Sequence, residues 1–534
     1  MRERAYSLSH PMAYIAPNTT IYLLSDVPLN NSYGDTIYFA SASAQQSYFQ
    51  SKVAVTLGSQ SYQRKDRNVL RVTIPYGQTY HVNYLMWRNA SYENKWFYAF
   101  ILNVDYVNNE TWDVTYEIDV MQTWFFDFSL EQCFVEREHS ATDAIGDNIA
   151  PENVDVGEYH CTTYGPLFST QTIMAVIILE IQQGAISSGT LINGIYSGCV
   201  AKAFQSTDVA GIQEEISHFG EAPENIVSIY MVPMWLVGEG TIPTGGITLE
   251  QTGVGNFYDV TKPAITAGTA IDGYTPKNNK LYTYPYNFYQ VDNGSGSTMT
   301  VRYEFFTNNQ PKFIVGGTIV TPVEVTVQPT NYKGTVDTSV GMQSCLHTES
   351  LSLTGFPVCS WNSDYFAAWA AQNSVPVIAS GIVSGAAGGL AGGVAGAAVG
   401  AAGGLLSAVS SLLGSGYQAA IHADYYKGNL NSGPSNTAIQ LNQFFGGRFH
   451  VSAEYAHMID DYFTMFGYAT RRVKVPNTHV RPHWTYTKSV GCMITGSVPG
   501  GDAAQICRIH DNGITYWMNG NEVGDYSLDN SPSA

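Results

Sequence analysis

From Ser363 to His422 the chain carries one formal charge, Asp364, and within that stretch two rows of glycine recur at intervals of four. Gly381, Gly385, Gly389 and Gly393 form one row, and Gly388, Gly392, Gly396, Gly400 and Gly404 form the other. On an α-helix, residues four apart stack on one face, so each row strips that face of side chains and lets another backbone come close. The apolar positions around them are Val377, Ile378, Ile382, Val383, Leu390, Val394, Val399, Leu405, Leu406, Leu412 and Leu413.

Three readings of Val377 to Leu413 compete. A flexible Gly/Ala/Ser linker fits the composition, but a linker needs no four-residue register and is normally polar. A buried helix in a water-soluble core is penalised by about 1 kcal/mol for each glycine relative to alanine. The third reading is conditional membrane insertion. A span takes about 20 residues to cross the ~30 Å hydrocarbon layer, so the stretch is long enough for one long helix or a hairpin of two. Such a segment stays with a folded or assembled soluble protein and enters a bilayer when released.

The rest of the chain is water-soluble in character and long enough, at 534 residues, for two to four domains with real cores. Its formal net charge of -19 repels a phosphate backbone, which excludes a general nucleic-acid binder. Charged residues make up 13%, against a usual fraction of about a quarter, so uncharged polar sheet surfaces and large subunit contacts are favoured. The seven cysteines, at 133, 161, 199, 345, 359, 492 and 507, form no C-x-x-C pair. Their odd count and wide spacing predict small buried hydrophobes rather than a disulfide framework or a zinc site. Met1 to Ser9 has no apolar run behind its arginines and does not read as a secretory signal. A second start, Met12-Ala13-Tyr14-Ile15, marks the preceding residues as an extension that the fold does not need.

Period-two alternation predicts strands at Trp112 to Val120, Leu70 to Ile74 and Val323 to Val327, each with one face on a core and the other in solvent or a lumen. Asn108-Asn109 predicts a hairpin turn after the apolar run from Trp96 to Val107. Ile173 to Ile181 and Ile226 to Val237 read as buried strands, and Val209 to Phe219 as a short helix. Gly, Thr, Pro and Asn dominate from about 239 to 300, which predicts long loops or an insertion. Trp361 to Gln372 and Tyr417 to Tyr426 read as helices on either side of the glycine rows. Tyr455 to Tyr468 reads as an amphipathic helix followed by basic Arg471, Arg472 and Lys474, with strands at 490 to 496 and 505 to 509. No repeat of solenoid length is visible.

The search for chemistry returns little. The chain has no Gly-Lys dipeptide for a Walker A loop, no H-E-x-x-H and no EF-hand loop. Arg137-Glu138-His139 and His457 to Asp461 place acids beside imidazoles, which fits either an acid-base or metal site or ordinary structural pairing. Arg471 to Lys474 is too short and too poor in stacking aromatics for a nucleic-acid surface, and reads as a solvated face or subunit contact. These residues define no catalytic or metal set and call for no cofactor.

The flanks of the glycine segment carry a resemblance. Asn94 to Phe100, Tyr116-Glu117-Ile118-Asp119-Val120-Met121-Gln122-Thr123-Trp124-Phe125 and Val135 to His139 resemble the N-terminal tube region of the distal tail tube (tail knob) proteins of small short-tailed phages of the Salasvirus type. Phe466-Gly467-Tyr468, Arg472 to Asn477, Asp511 to Thr515 and Gly524 to Leu528 resemble the C-terminal tube region of the same family. The middle shares few strings, Tyr284-Pro285-Tyr286 among them.

The resemblance implies a mainly β fold with some α: a discontinuous barrel or sandwich tube domain that forms a ring, with an inserted middle domain and a long hydrophobic loop. It divides the chain into tube residues 12–165, a middle or tip domain at 166–355, the membrane-active loop with flanking helices at 356–438, and tube residues 439–534. It implies a homo-hexamer in the virion tail, joined to an upstream tail or collar protein and to tail-tip proteins. Phage DNA passes through without sequence-specific binding, and the loop plugs the channel until ejection. The loop residues then enter the lipids of the host cytoplasmic membrane as a pore. Two alternatives remain: a tail-associated cell-wall glycan hydrolase, whose two carboxylates need only meet in space at about 5 to 10 Å, and a passive tube or plug that never inserts.

Overall fold

The computed structural model describes residues 19–361, except 61–63, 67, 75–80, 89–93, 169–173, 182–198, 219–225, 238–241, 250–256, 295, 318, 320–322, 334–348, 355 and 357, together with residues 428–431 and 444–532. The fold is mainly β with few helices, and the chain divides into two compact units. Unit 1 takes Met1–Val156, Gly273–Leu281 and Ala453–Ala534, and unit 2 takes Gly157–Asp272 and Tyr282–Ser452.

Unit 1 holds a seven-stranded antiparallel sheet in the order Val53–Gln60, Thr19–Ser25, Val82–Arg88, Trp96–Asn108, Thr111–Ile118, Val69–Thr73, Arg64–Asp66. Alternation along its central strands gives it two apolar faces. Leu85, Trp87, Phe97 and Ala99 join Trp112, Val114 and Tyr116 in one core cluster, while Tyr84, Met86, Tyr98 and Phe100 join a second. That second cluster also takes Phe49, Ile506, Ile509 and Ile514, so residues from both ends of the chain share one core. The Thr111–Ile118 strand keeps the apolar and polar alternation read from sequence, yet its polar Asp113 is buried and paired with Arg71 at 2.7 Å rather than open to water.

The second sheet of unit 1 runs Asp35–Ile37, Ile514–Trp517, Trp484–Val490, Cys133–Glu138, Tyr468–Lys474. Its Cys133–Glu138 strand comes from the first third of the chain and lies between two strands from the last. Gly467, with φ +64, makes this possible: a Cβ there would collide with the Glu138 carbonyl. The Ala453–Phe466 helix buries Ala456, Ile459, Asp460, Phe463 and Thr464 along one stripe. Residues 505 to 509 are helical, not a strand, because they lie inside the Gly500–Asn512 helix, which buries Ile506, Ile509 and His510 at helical spacing.

Unit 2 contains three sheets. One runs Tyr159–Pro166, Phe445–Val451, Asn287–Asp292, Thr298–Val301, and another Tyr258–Thr261, Lys312–Gly317, Val325–Thr330, Leu351–Leu353. Strands therefore occupy part of the 239 to 300 region, for which composition predicts long loops or an insertion. The third sheet runs Ile247–Thr248, Cys199–Gln205, Met174–Ile181, Ile226–Pro233, Val358–Trp361, Gly428–Asn431. Its last two strands are antiparallel, with Trp361 opposite Gly428 and Val358 opposite Asn431. The chain thus leaves this sheet at Trp361 and returns beside the same residue. Both glycine rows and all the apolar positions from Val377 to Leu413 fall between these points, outside the described residues, as do the helix expected at Tyr417 to Tyr426 and all of the one expected at Trp361 to Gln372 except Trp361, which ends a strand instead.

Candidate functional site

The acids and imidazoles singled out by sequence are held in packing rather than gathered around a reactive point. His139 is buried; its Nδ1 accepts a hydrogen bond from the Tyr486 amide at 2.8 Å, leaving Nε2 to donate to the Thr464 carbonyl at 3.1 Å. Burial, reinforced by the Arg481 and Arg137 charges, lowers its pKa to about 3, so the ring is neutral at ordinary pH. Glu138 turns away from it to accept from Lys474 and from the Asn477 amide. Arg137 donates to the Gly467 carbonyl and pairs with Glu152. The triplet is therefore three separate anchors for the chain ends of the second sheet.

Glu152 is the hub of a buried ionic group. Its carboxylate meets Arg137, Lys280 and the Ala469 amide, the last at 2.7 Å. Asp460 is wholly buried and accepts from the Tyr274 hydroxyl at 2.7 Å, the Lys277 amide at 2.7 Å, and the Asn278 amide and side chain at 3.0 and 2.8 Å. These bonds fasten the Gly273–Leu281 segment, which unit 1 recruits from the middle of the chain, onto the Ala453–Phe466 helix. Its neighbour Asp461 makes an exposed pair with His457 at 3.0 Å, one helical turn away. Sequence reading linked both acids to His457 and missed the anchoring role of Asp460.

Beside this network lies a small cavity lined by His139, Lys277, Asn278, Thr464, Arg481 and Asp529 to Ser531. Its volume of about 10 Å³ is that of a single water. Arg481 is buried and donates to the Asn530 carbonyl at 3.2 Å, while its Nε and Nη2 have no protein acceptor. Nothing of substrate size fits here.

Of the cysteines expected to be buried, Cys133 and Cys492 are buried in unit 1 and Cys507 near them is half-buried, whereas Cys161 is exposed. The Asp511 carboxylate accepts from the Cys492 amide and the Ser489 hydroxyl, both at 3.0 Å, and burial raises the Cys133 and Cys492 thiol pKa values. All four are free thiols, and no group of His, Cys, Asp or Glu among the described residues is arranged to hold a metal ion. In the basic run, Lys474 is tied to Glu138, while Arg471 and Arg472 are exposed. No described helix is long and apolar enough to cross a membrane, and the segment that sequence reading singled out for that role is not among the described residues.

Sheets built for packing, with their polar groups spent on anchoring distant chain segments, define a structural component, and comparison with known proteins places that component in a bacteriophage tail. Residues 17–129 match the model of the caudoviral major tail protein N-terminus. Residues 253–531, more than half of the chain, match the model of the C-terminal domain of Bacillus phage phi29 tail knob protein gp9, and the chain belongs to that tail knob family. It is 26% identical over 602 residues to tail knob protein gp9 of Bacillus phage PZA and 25% identical over 601 residues to that of Bacillus phage phi29. Each alignment covers 97% of this chain and 100% of the relative. Among solved structures, the tail knob protein gp12 of bacteriophage C1 shares the fold, with a TM-score of 0.59 at 16% identity over 96% of this chain and 99% of that one. The protein is therefore a structural component of the virion tail, associated with other tail proteins, and these matches indicate no catalytic function.

Proposed function

We propose that the chain forms the distal tube of the tail as a homo-hexameric ring. Its uncharged segment would close the channel before ejection and enter the host cytoplasmic membrane as a pore afterwards. The tube comprises residues 12–165 and 439–534, the tip domain 166–355 and the membrane-active loop 356–438. The observation that carries this reading is the ladder between Val358–Trp361 and Gly428–Asn431. It sets the residues before and after a long apolar, glycine-rowed stretch beside one another, which supports reading the stretch as a tethered loop rather than a linker between domains. From Val377 to Leu413 the stretch contains twelve Val, Ile or Leu positions and nine row glycines; burying the former in lipid supplies the driving force, and the latter let helices from different subunits pack closely. The net charge of -19 suits a conduit, because a basic lumen would hold DNA by its phosphates.

The test is dye release from liposomes of bacterial lipid composition, with protein shifted to acidic or other triggering conditions. Wild type should permeabilise the vesicles, and deletion of Val377 to Leu413 should abolish release while leaving the oligomer intact. Wild-type protein that binds but never permeabilises would favour the passive plug. Clearing on a cell-wall zymogram would instead favour the glycan hydrolase.

A further inference from the structure

Unit 1 carries an acidic and a basic stretch of sequence, and although Asp113, Asp127, Lys474 and Lys488 are paired within the chain, Asp105, Glu110, Arg471 and Arg472 have no ion pair among the described residues. From Trp96 to Glu131 the sequence has seven Asp or Glu and no Lys or Arg, whereas from Tyr462 to Gly501 it has five Lys or Arg and no Asp or Glu. The acidic block folds into the hairpin of Trp96–Asn108 and Thr111–Ile118, whose outer turn carries a run of exposed residues from 105 to 110. There Leu102 and Tyr106 are 49% and 56% exposed, with Asp105 and Glu110 exposed beside them.

The basic block supplies Tyr468–Lys474, an edge strand of the five-stranded sheet. In its ladders Phe134 stands directly opposite both Val473 and Val490, so these three side chains form a row on one sheet face. They are 40%, 69% and 56% exposed, and Arg471 and Arg472, also exposed, immediately precede Val473 on the edge strand. An open apolar row on an edge strand invites association, and the flanking charges decide with what.

We propose that this basic, apolar face receives the acidic β-hairpin of a second copy of the same chain. Both halves of the match are present on one subunit but on different sheets, so the contact is head-to-tail and repeats from copy to copy until it closes a ring. The inference rests on the reading of the protein as a ring-forming tube subunit and names the surfaces that would build the ring.

The experiment uses two charge-reversed versions of the full chain, D105K/E110K and R471E/R472E, with oligomeric state measured by sedimentation velocity at low salt. Wild type should assemble and should dissociate as salt is raised. Each variant alone should lose association by about 100-fold or more, because like charges then face each other across the contact. Mixing the two variants should restore assembly, since each hairpin then meets an oppositely charged face. Unchanged melting temperatures confirm that the variants fold. Variants that assemble like wild type, or a mixture that fails to reassemble, would overturn the proposed interface while leaving the ring reading standing. Wild-type chain that stays monomeric at every concentration and salt would sink both.

Discussion

Trp361 and Gly428 stand opposite one another at the end of an antiparallel ladder, although residues 362–427 separate them in sequence. Closing so long a loop costs the sheet entropy, and each halving of loop length recovers about 0.6 kcal/mol. Replacing 362–427 with a two-residue Asn-Gly turn, about five halvings, should therefore leave the unfolding free energy unchanged or raise it by up to about 3 kcal/mol in urea titrations. A marked loss would mean that the segment contributes packing to the folded unit.

Asp460→Asn should be strongly destabilising. The carboxylate accepts from Tyr274, Lys277 and Asn278, and an amide cannot serve all these donors with its NH₂ end. Charge-assisted bonds to a buried group make the expected loss about 2–4 kcal/mol. Limited proteolysis should show new cleavage within Gly273–Leu281, whereas Asp461→Asn, which disturbs only an exposed pair, should be nearly neutral.

His139 predicts a pH dependence. Its pKa falls from an ordinary 6.5 to about 3 on folding, so the stability it supports is complete above 6.5 and is lost as pH falls toward 3. The amount at stake is on the order of 4 kcal/mol. His139→Gln should be less stable than wild type at neutral pH, and its deficit should shrink steadily on acidification. A constant deficit across that range would show that the ring is not held neutral.

Asp119 works in the opposite direction. Burial raises its pKa from 3.8 to about 6, so the stability it contributes is complete below 3.8 and is lost as pH rises through 6, by roughly 3 kcal/mol. It caps the Val120–Thr123 turn and accepts from the Tyr84 hydroxyl at 2.8 Å. Asp119→Asn should gain on wild type between pH 4 and 7 in denaturant midpoints, and parallel pH profiles for the two proteins would refute the assignment.

Much of the secondary structure was legible because local pattern and tertiary environment agree. The alternation in Thr111–Ile118, the hairpin turn after Trp96–Asn108 and the periodicity of Val209–His218 each follow from one segment's own residues. Residues 505 to 509 read as a strand, although they lie in the Gly500–Asn512 helix, because its two opening glycines and the short run around Ile506 hide a helical spacing that only its packing reveals. Asp460 shows how a site is missed. Ala456, Ile459 and Phe463 set a buried stripe on which Asp460 also falls, a signal that a charge was being buried. Its partners, however, lie more than 180 residues earlier, and no local rule links them. The charge blocks at 96–131 and 462–501 were present in the sequence, but their surfaces became visible only once Phe134 was registered against Val473 and Val490.

The Cys133–Glu138 strand has both of its neighbours more than 300 residues downstream. At about 5–20 residues per second, a ribosome needs on the order of half a minute to deliver them. For that interval the nascent chain must hold a strand whose two edges are unmatched, a condition that favours wrong pairing between chains. Folding of the first unit is therefore an event after synthesis, and crowding between half-made chains, rather than the stability of the finished subunit, sets the hazard in producing it.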